Sequence, residues 1–109
     1  MKASIWQALE GAKLVTGKAV LITGAAAGIG KACARLFAHQ GGRLGLVDLE
    51  EEGLNRVCRA VRSAGGEAVP ILADVTRDQD RDHIFRKIDE AYGRIDILVN
   101  NAGVIRDPL

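Results

Sequence analysis

Hydrophobic and polar positions follow two periods along the chain, and these predict strands that alternate with helices. Residues 18–23 form a short apolar run that is partly β-branched, which is typical of a buried strand. From Ile29 onward, apolar side chains recur at the i, i+3, i+4, i+7, i+8 spacing of one helical face, so we predict a helix over 31–40. Gly41 and Gly42 follow and predict the end of this helix.

The strand–helix unit repeats farther along the chain. A predicted strand over 44–47 ends at Asp48, and a predicted helix covers 50–64, with acidic residues in its first turn that suit the helix dipole. A third strand is predicted over 68–73. It contains Pro70, which has no N–H to donate to a neighbouring strand, so we place this strand at an edge of the sheet.

A third helix is expected after Thr76. Thr76 and Gln79 have the spacing of a capping box, and Gly93 predicts the end of the helix. A fourth strand is predicted over 95–99. The apolar positions that the third helix is expected to bury are Ile84, Phe85, Ile88, Ala91 and Tyr92.

Three successive strand–helix units predict an α/β fold with a parallel sheet and right-handed crossovers. If the fourth strand returns beside the first, the strand order is 3-2-1-4, that of a Rossmann-type doubly wound sheet left incomplete at four strands and three helices. We expect this domain over 18–109, truncated after the fourth strand and preceded by a frayed or loosely docked N-terminal arm over 1–17. One apolar helical turn in that arm would consist of Ile5, Trp6 and Leu9.

Composition narrows the classes of function. The chain has 109 residues, 48% of them hydrophobic, and a net charge of +1, so it is globular and lacks the basic excess of a nucleic-acid-binding protein. No apolar run of about 18 residues predicts a membrane span. The N-terminus lacks an apolar signal core, so we expect a cytoplasmic protein. In such a reducing compartment Cys33 and Cys58 are expected to be core residues rather than a disulfide.

The motif Thr23-Gly24-x-x-x-Gly28-Ile29-Gly30 stands where the first strand turns into the first helix. Unpaired backbone N–H groups at a helix N-terminus attract a phosphate, and glycine lets the phosphate approach closely. We assign Gly24 to the tight turn, Gly28 to the bare backbone beside the phosphates and Gly30 to close helix–strand packing. Three glycines in such a short stretch are also compatible with an ordinary turn.

Asp48, at the end of the second predicted strand, is a candidate for binding the adenosine ribose. A carboxylate at this place accepts hydrogen bonds from ribose hydroxyl groups and repels a 2′-phosphate. No Arg or Lys stands among Ala25, Ala26 and Ala27, so we predict NAD as the cofactor, with NADP less favoured. The alternative is that Asp48 merely opens the helix that follows it.

Taken together, these motifs resemble the N-terminal half of the short-chain dehydrogenase/reductase family. The resemblance covers about residues 16–107. The matching residues are the glycine motif, Asp48, Ala73-Asp74-Val75-Thr76, and Asp96-Ile97-Leu98-Val99-Asn100-Asn101-Ala102-Gly103.

The resemblance implies a role for each cofactor-binding residue. Ile29 and the amides of the glycine loop, that of Ala26 among them, would hold the pyrophosphate. Asp74 would accept a hydrogen bond from the adenine amino group, and the Val75 amide would bind the ring. Asn101, Ala102 and Gly103 would line the cofactor side of the fourth strand, with Asn101 also bracing the glycine loop. Asp74 as a plain turn residue and Asn101 as a plain brace between strands remain alternatives.

The same resemblance places the chemistry outside this chain. The family's catalytic serine, Tyr-x-x-x-Lys pair and helix asparagine lie downstream of Asn-Asn-Ala-Gly, so no catalytic residue is assigned here. The one tyrosine, Tyr92, is followed four residues later by Asp96 rather than by lysine, and its helical phase places it in the core. His39 and His83 have no second ligand at metal spacing, so no metal site is expected.

Two functions remain open from the sequence. The chain is the cofactor-binding half of an NAD-dependent oxidoreductase acting on an alcohol or carbonyl, or it is a truncated module that binds a dinucleotide or pairs with a full-length relative. In either case the fourth strand would present a bare apolar edge. We therefore expect self-association or a partner that covers this edge.

Overall fold

The computed structural model describes residues 13–102, so the predicted apolar turn at 5–9 and the predicted cofactor contact of Gly103 lie outside the described residues. Strands and helices alternate strictly along the described chain. In order, they are β1 (Ala19–Thr23), α1 (Gly28–His39), β2 (Arg43–Asp48), α2 (Glu51–Ser63), β3 (Glu67–Leu72), α3 (Asp78–Tyr92) and β4 (Ile97–Asn100).

All strand pairs are parallel and the strand order is β3-β2-β1-β4, which confirms the predicted topology. Pro70 lies in β3, an edge strand, as its missing N–H requires. Thr23, the last residue of β1, is level with Val47 on one side and Asn100 on the other. The carboxyl ends of β1, β2 and β4 therefore open at the same edge of the sheet.

Helices cover the two faces of the sheet unequally. The larger core packs α1 and α2 against one face, with Ile22, Leu44 and Leu46 fully buried. Within residues 13–102, the smaller core packs α3 alone against the other face, through Ile84 and Ile88. This arrangement follows from two crossovers in one direction and a third that runs back across the sheet.

Two predicted boundaries shift by more than one residue, each for a local reason. Helix α1 begins at Gly28, three residues before the predicted start, so the glycine motif forms its first turn. Strand β4 begins at Ile97 rather than at Ile95. Just before it, the Asp96 carboxylate accepts a hydrogen bond from the backbone nitrogen of Ala19 at 2.8 Å, and the Asp96 nitrogen donates to the Ala19 oxygen at 2.9 Å.

The predicted capping box at the start of α3 is wrong. Residue Arg77 occupies the cap position without a side-chain hydrogen bond. The Thr76 hydroxyl instead donates to Asp74 Oδ1 at 2.6 Å, and the Asp80 carboxylate accepts from the Asp74 nitrogen at 2.7 Å. Local turn bonds thus use the hydroxyl that the capping box would have needed.

The predicted core of α3 is only partly right. Ile84 and Ile88 are buried, but Phe85 is 54% exposed and Ala91 is exposed. A single helix on this face of the sheet buries a narrow stripe, so the residue next to Ile84 turns toward the uncovered flank beside β4. Among residues 13–102 no helix is long and apolar enough to cross a membrane.

Candidate dinucleotide-binding site

The loop between β1 and α1 has the backbone that its glycines permit. Gly24 and Gly28 have φ values of +65° and +57°, in the left-handed region that strains other residues. A Cβ on Gly30 would overlap the carbonyl oxygen of Gly24, so only glycine lets the helix approach the strand this closely. The turn role of Gly24 and the packing role of Gly30 are thus confirmed.

Gly28 differs from the other two glycines because space is open around it. A Cβ built there would meet no heavy atom of the described chain within 4 Å. The positive φ of Gly28 therefore favours glycine, but packing against the described chain does not require one, and the space beside the first turn of α1 is open.

The N-terminus of α1 has the electrostatics of an anion site. Its cap residue, Ala27, makes no side-chain hydrogen bond, and no acidic residue stands in the first turn. By contrast, α2 is capped by the Glu50 carboxylate, which accepts from the Gly53 nitrogen at 3.1 Å, and has Glu51 and Glu52 in its first turn. The positive end of the helix dipole is therefore compensated by acidic groups in α2 but not in α1.

Asp48 joins the end of β2 to the glycine loop. Its Oδ2 accepts a hydrogen bond from the Ala26 nitrogen at 3.0 Å, and its Oδ1 accepts from the Glu50 nitrogen at 3.0 Å. Since Glu50 is the residue that caps α2, Asp48 does take part in opening that helix, but it also holds the glycine loop. The Ala26 amide is engaged by Asp48 and the Ala25 amide by the Val47 oxygen at 3.0 Å, so these two loop amides are already used within the protein.

Thr23 connects the glycine loop to the turn after β4, a role that our sequence analysis did not assign. Its buried Oγ1 accepts hydrogen bonds from the backbone nitrogens of Asn101 at 2.9 Å and Ala102 at 3.0 Å. Asn101 also donates from Nδ2 to the Gly24 oxygen at 3.3 Å, which is the predicted brace. The sequence feature that could have indicated this role is the threonine directly before the first glycine, at the end of a strand.

Asp74 and Val75 lie in a tight turn after β3. Asp74 Oδ1 accepts from the Thr76 nitrogen at 2.9 Å as well as from its hydroxyl, and these bonds hold the pKa of Asp74 below its ordinary value. Asp74 therefore acts as a turn residue, which is one of the two roles that the sequence left open for it. It leaves the carboxylate ionised at neutral pH and able to accept a further hydrogen bond.

These segments line one pocket of about 170 Å³ at the carboxyl edge of the sheet. Two carboxylates, those of Asp48 and Asp74, lie on it, and none of the residues from 13–102 that line it is a lysine or arginine. Ile29 lies at the first turn of α1 and is 73% exposed. The predicted site residues that the pocket brings together are Gly24, Asp48, Asp74, Val75 and Ala102.

The Tyr92 hydroxyl and the Cys58 thiol, two further groups that could take part in chemistry, are held in the packed interior. The hydroxyl of Tyr92 donates to the Leu44 oxygen at 2.8 Å, and burial raises its pKa to about 12, with the Glu67 charge adding to the shift. Cys58 is buried in the larger core, and burial raises the pKa of its thiol. Within residues 13–102 no group of three His, Cys, Asp or Glu side chains is placed to hold a metal ion.

Sequence comparison finds relatives over most of the chain. A family model described as short chain dehydrogenase matches residues 18–108. An uncharacterized oxidoreductase of Thermotoga maritima is 46% identical over 89 residues, which cover 82% of this chain and 35% of that protein. The 3-oxoacyl-(acyl-carrier-protein) reductase of the same organism is 45% identical over 94 residues, covering 85% and 38%. The chain thus spans somewhat more than a third of the length of these relatives.

Solved structures share the same fold. A short chain dehydrogenase/reductase from Burkholderia phymatum in complex with NAD matches with a TM-score of 0.76 and 33% identity, covering 77% of this chain and 30% of that chain. A metagenomic short-chain oxidoreductase in complex with NADP matches with a TM-score of 0.77 and 38% identity, covering 83% and 41%. These two structures hold different dinucleotides, so the likeness to them does not distinguish between the two cofactors.

Proposed function

The chain belongs to the short-chain dehydrogenase family, and on that premise we propose that residues 18–109 are the dinucleotide-binding part of an NAD-dependent oxidoreductase acting on an alcohol or carbonyl. The observation that carries the proposal is the bond from the Ala26 nitrogen to Asp48 at 3.0 Å, directly beside the uncapped N-terminus of α1. It puts a carboxylate for the ribose and a positive helix end for the pyrophosphate on one loop.

In this proposal each part of the pocket holds one part of the cofactor. The Gly28 and Ile29 amides at the first turn of α1 bind the pyrophosphate, and Asp48 binds the adenosine ribose. Ala26 contributes by orienting Asp48, since its own amide is already engaged. Asp74 and Val75 receive the adenine.

The turn after β4 forms the opposite wall of the site. Ala102 lines the pocket and Asn101 binds the Gly24 oxygen, and we assign both residues, with Gly103 from the sequence, to this wall. When bound, the nicotinamide supplies the hydride acceptor or donor.

The preference for NAD follows from the charges around the ribose. A 2′-phosphate would lie beside Asp48, with Asp74 on the same pocket and no cation among the described residues that line it. Two like charges about 4 Å apart repel by about 4 kcal/mol at the effective dielectric of a protein surface, before screening by salt. NADP is therefore the disfavoured cofactor.

We place the proton-transferring groups outside residues 13–102. The chain has one tyrosine, and its hydroxyl is bound to the Leu44 oxygen rather than directed at the carboxyl edge of the sheet. A general acid must reach the reacting oxygen and titrate near the working pH, and Tyr92, with a pKa of about 12, does neither. By this proposal the 109 residues bind NAD and transfer no hydride to a substrate alone.

Calorimetric titration of the 109-residue chain with NADH and with NADPH tests the proposal. We expect NADH to bind and NADPH to bind at least an order of magnitude more weakly, as a discrimination of about 1.4 kcal/mol or more requires. NADPH binding that equals or exceeds NADH binding contradicts the role of Asp48, and binding of neither contradicts the dinucleotide site.

A further inference from the structure

A groove between α1 and α2 lies on the outer face of the molecule, apart from the glycine loop. It has a volume of about 760 Å³ and is larger than the pocket at the carboxyl edge. Small apolar side chains line it, among them Ala38, Ala60 and Ala64, together with the basic side chains of Lys31, Arg35 and Arg56. The groove therefore suits an apolar segment that also carries negative charge.

The N-terminal segment is fastened to one end of this groove. Lys13 donates from Nζ to the backbone oxygen of His39 at 2.8 Å, and His39 itself lines the groove. The Leu14 nitrogen donates to Gln40 Oε1 at 2.9 Å, and the Val15 nitrogen donates to the Gln40 oxygen at 3.1 Å. The described chain therefore begins, at Lys13, beside the C-terminal end of α1.

We propose that residues 1–12 dock in the groove between α1 and α2 and place Ile5, Trp6 and Leu9 against its alanines. From Lys13, Trp6 reaches about 10 Å if the segment is helical and about 23 Å if it is extended. The α1 wall of the groove, from Lys31 to His39, is about 12 Å long. Trp6 therefore reaches the groove in either conformation.

The charge complementarity is confined to the fastened end of the segment, because Lys2 stands at its other end. Glu10 stands three residues before Lys13, close to the fastened end, and the groove carries basic side chains on both helices. An indole next to a guanidinium group also gains a favourable cation–π contact. Since the segment is covalently tied to the groove, its effective concentration is in the millimolar range, which favours it over a second copy of the chain.

Trp6 is the one tryptophan of the chain, so its fluorescence reports docking directly. The measurement is the emission maximum and the acrylamide quenching constant of the full 109-residue chain, compared with a free peptide of residues 1–17. We expect blue-shifted emission and severalfold weaker quenching in the chain. Ala60→Asp, which puts a charge on the groove floor, is expected to return both values to those of the peptide.

Ala91→Asp is the matched control, because Ala91 is also an exposed alanine near the C-terminus of a helix but lies on α3, away from the groove. It should leave the emission unchanged. Arg56→Glu, at an exposed groove position, serves as a second groove variant if circular dichroism shows that Ala60→Asp does not fold.

Three results would overturn the proposal. The first is a wild-type Trp6 that is quenched like the peptide. The second is a shielded Trp6 that responds to neither groove variant. The third is shielding that disappears on dilution, which would mean that the segment docks on a second copy.

Discussion

Asp48 Oδ2 accepts a hydrogen bond from the backbone nitrogen of Ala26 at 3.0 Å, so the carboxylate at the end of β2 fixes the glycine loop that begins at the end of β1. The same carboxylate accepts from Glu50, the cap of α2, through its other oxygen. One side chain thereby sets the position of the loop and of the second helix relative to each other.

Asp48→Asn is expected to weaken NADH binding about tenfold, since a hydrogen bond to a charged group contributes roughly 1.5–3 kcal/mol and an amide retains only part of it. Asparagine also has one acceptor oxygen for the two amides that Asp48 now serves. Removal of the charge should narrow the preference for NADH over NADPH. Paired titrations of both cofactors measure the change, with Asp89→Asn, an exposed position on α3, as the control. An unchanged NADH/NADPH ratio would refute the electrostatic assignment.

Gly28→Val is expected to abolish cofactor binding while the protein stays folded. The side chain would enter space that no part of the described chain occupies, and the strained backbone would cost about 1–2 kcal/mol of stability. Gly65→Val is a matched control because Gly65 also has a positive φ, +93°, and open space around a Cβ, but follows α2 at the opposite edge of the sheet. Calorimetry and circular dichroism on both variants separate the two effects. If the two variants bind NADH equally, Gly28 is only a turn residue.

Thr23→Val is expected to destabilise the fold by about 1–3 kcal/mol, because it removes a buried acceptor from the amides of Asn101 and Ala102. The Asn101 nitrogen retains the Val99 oxygen at 3.2 Å, so the larger loss falls on Ala102. Urea unfolding measures the change. Ser63→Ala, at an exposed position on α2, should shift stability by no more than about 0.5 kcal/mol. Equal effects of the two substitutions would show that the Thr23 hydroxyl does not link the two segments.

Spectrophotometric titration should give an apparent pKa of about 12 for Tyr92, against 10.0 for an unperturbed tyrosine. Because the folded-state pKa is raised, the contribution to stability is present below pH 10 and is lost as the pH rises toward 12. Tyr92→Phe should remove this loss and also cost about 1 kcal/mol at neutral pH, as the bond to the Leu44 oxygen disappears. The difference between the wild-type and Tyr92→Phe stabilities, measured from neutral pH to pH 12, isolates this residue from other groups. A normal tyrosine titration would contradict the burial of the hydroxyl.

The 109-residue chain is expected to self-associate through the face beside β4. Leu98 is 58% exposed and Phe85 54% exposed, and within the described residues β4 has no neighbour on its outer edge. Leu98→Lys should shift the chain toward monomer in light scattering coupled to size-exclusion chromatography. Leu72→Lys, an exposed leucine on the opposite edge strand, is the control. A wild-type monomer at micromolar concentration would refute this prediction.

The periodicity of apolar residues did not predict correctly which side chains of α3 are buried. The prediction assumed that the helix is packed along its whole apolar side. Within the described residues α3 is the one helix on its face of the sheet, so it buries Ile84 and Ile88 and leaves Phe85 half exposed. In the same way, Thr76 matches a capping box in sequence, but its hydroxyl is closer to Asp74 than to the helix end. Where a hydroxyl has two possible hydrogen-bond partners nearby, residue spacing alone does not show which of them it binds.

The order of strands and helices, the edge position of Pro70 and the need for glycine at position 30 were determined by the sequence alone, because periodicity, a missing N–H and a missing Cβ are properties of individual residues. Tertiary structure decided which oxygen each backbone amide finds. It joined Asp48 to Ala26 and Thr23 to Asn101 and Ala102, across separations of 22, 78 and 79 residues. Such bonds depend on the register of parallel strands brought together by the crossovers, which no local pattern encodes.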